Sequence, residues 1–170
     1  GMPIVIMRAL DFGLVGNESK EILEANEPLR QKIEQIRLKA GFMMNLGDVF
    51  DQTIPKMCLV SPPENGGIIN TRMFIPHVVH EAIGVLAAVS VATAYLMLND
   101  KWLMLNENKF IGKNNSPFII QHSTLSIEHP SGEFTVNLEY EIIDNEVKIH
   151  KSGVIRTARI LSKGEVFITI

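Results

Sequence analysis

The chain has 170 residues, 46% of them hydrophobic and 21% charged, so it can bury a real core as one domain or two very small ones. Its formal net charge of −3, with Lys and Arg dispersed among acids, argues against general nucleic-acid affinity. The single cysteine, Cys58, excludes an internal disulfide and fits a reducing, cytoplasmic compartment.

Gly1 before Met2 reads as a tag scar, and we expect the natural chain or fragment to begin at Met2. The start lacks the basic, apolar and small-residue regions of a signal peptide. "MPIVIMRA" predicts a strand, followed by the turn-like "LDFG". Asn17 is a candidate N-cap for "ESKEILEA", and Asn26 for "EPLRQKIEQIRLKAG", with Pro28 in the first turn and Gly41 as terminator. Leu29, Ile33, Ile36 and Ala40 make one apolar stripe, which is packing. The charges of "LRQKIEQIRLK" read as a solvated face.

Two strands follow, "PKMCLVSPP" and "GGIINTRMFIP", joined by the turn-rich "PPENGG". Cys58, between apolar neighbours, reads as a buried strand thiol and not a nucleophile. From Ala82 to Leu98 no residue is charged, but the run is mostly Ala, Gly, Ser, Thr and Val, bounded by Glu81 and Asp100. We read it as a central buried helix surrounded by protein, not a membrane span. After Asp100 the pattern is β: "FIIQHSTLSIEHP", "EFTVNLEYEII", "VKIHKSGVIRTARIL" and "EVFITI", parted by "SG", "DN" and "KG", predict an antiparallel meander. With no linker or repeat, the fold class is α+β: a curved, hairpin-rich sheet around one apolar helix.

Four features could carry chemistry. The start of the apolar helix offers unpaired N–H groups and partial positive charge to an anion. Gly84 there either lets a ligand approach the backbone or lets a strand pack against the helix. The turn His129-Pro130-Ser131-Gly132 presents a hydroxyl and N–H groups at a sheet end, either as an anion-holding nest or as a plain hairpin turn. His77 and His80 fit one helix face and suggest a zinc enzyme, yet no third ligand has matching spacing, so capping or bonding to backbone is the favoured reading and no metal is expected. Arg72, Arg156 and Arg159 lie in strands and together allow an anionic ligand.

Three segments, "PKMCLVSPP…GGIINTRMFIPHVVHEAIGVLAAVSVATA", "IEHPSGEFTV" and "GVIRTARILSKGEVFI", resemble the second half of the PrpF family. "MPIVIMRALDFGLVGNE" resembles the strand that opens that half. The family comprises cofactor-independent methylaconitate and methylitaconate isomerases, with 4-oxalomesaconate tautomerase and aconitate isomerase relatives. The resemblance implies a fold similar to diaminopimelate epimerase, in which two lobes each wrap an antiparallel-rich, barrel-like sheet around a central apolar helix, with the site between them. Residues 2–170 then form a single domain equivalent to the C-terminal lobe.

The resemblance further implies that His80, Ala82, Ile83, Gly84 and Val85 at the helix start bind a substrate carboxylate, with Arg72, Ser131 and Gly132 as further contacts. The reaction would be proton transfer across an allylic system in an unsaturated di- or tricarboxylate, without a cofactor. This chain departs from the family pattern. The acid–base lysine and cysteine belong to the first lobe, and where diaminopimelate epimerase has its second-lobe cysteine this chain has Ile83. No catalytic residue is therefore assigned. The expected partners are a small di- or tricarboxylate and either an N-terminal-lobe chain or a second copy, with neither nucleic acid nor membrane. The other reading is a stand-alone or degenerate carboxylate-binding module.

Overall fold

Residues 2–98, 120–143, 146–155 and 160–165 are described by a computed structural model. Arg156, Arg159, the Asp144-Asn145 turn and nearly all of "EVFITI" lie outside the described residues.

The elements follow as β1 (Ile4–Arg8), a short 3-10 helix (Ala9–Phe12), α1 (Lys20–Ala25), α2 (Glu27–Met43), β2 (Lys56–Ser61), β3 (Ile69–Ile75), β4 (Val78–His80), α3 (Val85–Met97), β5 (Gln121–His129), β6 (Gly132–Ile143) and β7 (Glu146–Val154). The seven strands among the described residues join one mixed sheet in the order β1-β2-β3-β5-β6-β7, with β4 paired to β3. The β1–β2 and β3–β5 pairs are parallel, the latter requiring the crossover through α3, and the others are antiparallel. A register shift at Glu139/Tyr140 interrupts the β6–β7 ladder, the kind of irregularity that bends a strand. The result is a curled half-barrel of α+β class.

Alternation along the strands divides the core in two. On the inner face, Cys58, Val60, Ile69, Met73, Leu125, Ile127, Phe134, Val136, Leu138 and Tyr140 pack against Ala87, Ala88, Val91, Ala92 and Leu96 of α3. On the outer face, Met57, Leu59, Phe74 and Val79 meet Ala9, Leu23, Leu29 and Ile33 of the N-terminal segment. Ala88 and Ala92 are fully buried because small side chains let α3 sit close to the sheet, and a larger group there would overpack it at about 1–3 kcal/mol. The exposed residues of α3 lie at its ends, Val85 and Leu86 in the first turn and Met97 in the last, while Ala87 to Leu96 are buried or half-buried. None of the described helices is long and apolar enough to cross a membrane.

Several local expectations are corrected. The N-cap of α1 is Ser19, whose hydroxyl accepts from Ile22 N–H, and not Asn17. Asn17 instead donates to Glu64, and the Glu18 carboxylate turns back to accept from Val15 and Gly16 N–H. Asn26 does cap α2, accepting from Leu29 N–H at 3.1 Å. Gly41 does not end that helix, which continues to Met43. A Cβ at Gly41 would lie 2.5 Å from a Val49 methyl, so the glycine serves close packing instead.

The face of α2 read as solvated contains Arg37, which is fully buried. Its guanidinium forks onto Glu34 and donates to the carbonyls of Val49, Gln52 and Ile54, holding the segment that leads into β2. His77 and His80 do not share a helix face. His77 lies in the β3–β4 turn, His80 ends β4, and α3 begins five residues after His80, at Val85.

Candidate functional site: the tip of α3 and the β5–β6 turn

The first helical hydrogen bond of α3 runs from Ala88 N–H to Gly84 C=O, leaving the N–H groups of Val85, Leu86 and Ala87 without intrahelical partners. The N-cap is Gly84, in extended conformation, and no side chain caps this end. Nothing lies within 4 Å of where a Gly84 Cβ would stand, and Gly84, Val85 and Leu86 are exposed. That open space decides the glycine's role against strand packing. The helix presents free donors and a partial positive charge to solvent.

Three contacts fix the tip. Ile83 is buried in the inner core at 4% exposure, so only its backbone faces the site. Ala82 N–H donates to His80 Nδ1 at 2.9 Å. That bond keeps Nδ1 unprotonated, and a neutral His80 therefore carries its proton on Nε2. Ser131 N–H donates to Glu81 C=O at 3.0 Å, tying the β5–β6 turn to the segment before α3.

That turn has two residues, Pro130 and Ser131, between paired His129 and Gly132. Gly132 has φ of 140°, a backbone region that suits glycine. Ser131 Oγ, exposed, lies 3.2 Å from His129 Nδ1. Burial holds the His129 ring below the ordinary histidine range; nearby His80 and Arg72 push the same way, against the Glu133 backbone and carboxylate.

The structure thus brings His80, Ala82, Gly84, Val85, Ser131 and Gly132 to one end of the sheet. Arg72 is placed differently. Met73 pairs with His80 on the inner face, so Arg72, one residue earlier, points to the outer face. It is 6% exposed, and its guanidinium donates to Glu18 C=O at 2.8 Å and to Asn70 Oδ1 and Thr71 C=O at 2.9 Å. Cys58 is fully buried in β2, and burial pushes its thiol up to about 12, so it is no nucleophile. Among the described residues no group of three or more His, Cys, Asp or Glu side chains is arranged to hold a metal ion.

Two residues beside the site escaped the sequence reading. His129 stood within the quoted turn motif, and its spacing of two from Ser131 was the available signal. Glu128, 3% exposed, accepts from the N–H groups of Glu64 (2.7 Å), Asn65 (2.7 Å) and Gly67 (2.8 Å), clamping the β2–β3 loop onto β5. Gly67 is required there, since a Cβ would fall 2.7 Å from Glu128 Cγ.

A curled α+β half-barrel defines the class, and comparison gives the family. The family model described as PrpF protein matches residues 1–169, and the chain belongs to the PrpF family. It is 45% identical over 168 residues to the (4E)-oxalomesaconate Delta-isomerase of Novosphingobium sp. (strain KA1), covering 99% of this chain and 44% of that protein. It is 46% identical over 168 residues to the 4-oxalomesaconate tautomerase of Pseudomonas putida (strain KT2440), covering 99% of this chain and 43% of that protein. The crystal structure of a methylitaconate-delta-isomerase superposes with a TM-score of 0.61 at 16% identity, covering 89% of this chain and 43% of that one. The chain therefore spans less than half the length of these relatives.

Proposed function

We propose that this chain is the carboxylate-binding lobe of a PrpF-type isomerase. Such an enzyme would act by cofactor-independent proton transfer on unsaturated di- or tricarboxylates of the aconitate, methylaconitate, methylitaconate or oxalomesaconate type. The observation that carries the reading is the uncapped, solvent-open tip of α3 at Gly84, with Ser131 tied beside it. One carboxylate would accept from the N–H groups at the tip and from Ser131. That arrangement holds the substrate and stabilises the negative charge that develops when a proton leaves the neighbouring carbon.

The groups that move the proton, a lysine and a cysteine, would come from a complementary lobe. His80 and His129 stand near the tip, but His80 Nδ1 is engaged by the backbone and His129 Nδ1 by Ser131. The purified chain alone is expected to bind trans-aconitate without isomerising it. Ultraviolet absorbance with trans-aconitate or methylitaconate, with and without the complementary lobe, tests this. Turnover by the chain alone would refute the division of labour. A thermal-shift screen that finds no stabilisation by any di- or tricarboxylate would refute the binding role.

A further inference from the structure

A histidine beside a proposed site of proton transfer invites the role of base. At His80 the hydrogen bonding runs the other way. A backbone N–H can only donate, so the 2.9 Å bond from Ala82 N–H occupies the Nδ1 lone pair. The proton of the neutral ring then sits on Nε2, and while that bond lasts the ring has no lone pair with which to take another.

The ring stands on the helix side of the sheet. His80 pairs with Met73, whose side chain lies in the inner core packed on α3, and cross-strand partners share a face. The Ala82 bond holds the ring against the segment that leads into α3, where Glu81 C=O also accepts from Ser131 N–H at 3.0 Å. Among the described residues Nε2 meets no hydrogen-bond partner, and it is not sealed away, since the one buried side-chain nitrogen or oxygen left unpaired there is Arg30 Nε. The adjacent carboxylate, Glu81, faces Lys20 at 3.8 Å. A half-buried ring fixed by one nitrogen therefore presents the other, as N–H, to solvent.

We propose that His80 is a ligand-binding donor: its Nε2–H, held in one tautomer by Ala82, donates to an oxygen of the bound carboxylate ligand beside the N–H groups of the α3 tip. This rests on that tip being a carboxylate site. A neutral donor of fixed orientation serves the resting carboxylate and also the charge that grows on its oxygens as a proton leaves the neighbouring carbon.

Two substitutions separate the two ring nitrogens. The side-chain oxygen of His80→Asn can stand near the place of Nδ1 and go on accepting from Ala82 N–H, with nothing in place of Nε2–H. The amide nitrogen of His80→Gln reaches the place of Nε2, with nothing at Nδ1. In calorimetric titration of the whole chain with trans-aconitate, His80→Asn is expected to weaken Kd about tenfold, the loss of a hydrogen bond to a charged acceptor, and His80→Gln by less than about threefold. Nitrogen NMR of the ligand-free chain should show His80 as the Nε2–H tautomer, and that proton should move downfield when trans-aconitate saturates the site.

Unchanged affinity in His80→Asn would overturn the proposal. So would a loss in His80→Gln as large as that in His80→Asn, because the ring would then serve only to hold the backbone. The tautomer separates the donor from the site beneath it. With Nε2–H observed, failure of wild type to bind trans-aconitate would defeat the carboxylate site and the donor with it; with Nδ1–H observed, the donor fails whatever binds.

Discussion

Replacing Glu128 with Gln tests whether the sheet beside the site is held by a buried carboxylate. Oε1 accepts from Asn65 and Gly67 N–H, and Oε2 from Glu64 N–H. An amide keeps one acceptor oxygen and sets an NH2 against the remaining N–H donor. One charge-assisted bond is lost, the other two become neutral, and a buried donor goes unpaired. At about 1.5–3 kcal/mol for bonds to a charged group and 0.5–1.5 for neutral ones, the cost is about 2–4 kcal/mol. That is a large share of the roughly 5–15 kcal/mol that stabilises a domain, so Glu128→Gln should still fold but unfold at lower urea.

The pH dependence has a definite sign. Burial raises the Glu128 carboxyl, but the N–H groups of Glu64, Gly67 and Asn65 outweigh it and hold it below the usual range. A depressed carboxyl stabilises fully above its unfolded value of about 4.3, and the stabilisation fades as pH falls through the folded value. The gap between wild type and Glu128→Gln should therefore be widest near pH 7 and close toward about pH 3. Urea titrations across that range measure it. A gap below about 0.5 kcal/mol near pH 7, or one constant with pH, would refute the reasoning.

Arg37→Ala strips the buried fork from Glu34 and from four carbonyls, those of Val49, Phe50, Gln52 and Ile54; it should cost about 3–5 kcal/mol and lower Tm by on the order of 10 °C, read by calorimetry. Cys58, buried and with its thiol pushed up to about 12, should resist a thiol reagent in the native chain and react fully in urea. Gly84→Ala meets nothing within 4 Å and a backbone any residue can adopt, so stability should change by less than about 0.5 kcal/mol. Its methyl group beside the open N–H groups should nonetheless weaken trans-aconitate binding several-fold, as measured by calorimetry.

What the sequence made legible was set by short-range chemistry. The strand runs of β2 and β3, the Asn26 cap and the turn at Ser131 all report on neighbours a few positions away, and each is found in the structure. Long-range partners were not legible. Arg37 looks like any surface arginine until a segment 12 to 17 residues later closes over it. Glu128 appears to be an outward residue of an alternating strand, and only the fold brings the Glu64–Gly67 loop onto it.

His77 and His80 share a helix face only in the zinc reading; in the structure His77 lies in the β3–β4 turn and His80 ends β4. The three-residue strand β4 is defined by pairing to β3, which no local pattern encodes. The resemblance implies Arg72 as a carboxylate contact; its parity relative to Met73 and His80 sends it to the other face.

The central claim is that the open tip of α3 and the adjoining turn receive a small carboxylate. Amide NMR of the chain titrated with trans-aconitate tests it most directly. The account predicts saturable shifts concentrated at Ala82 to Leu86 and at Ser131 and Gly132, with little change along the outer face near Arg72. Shifts centred elsewhere, or none at the tip at saturating ligand, would contradict it.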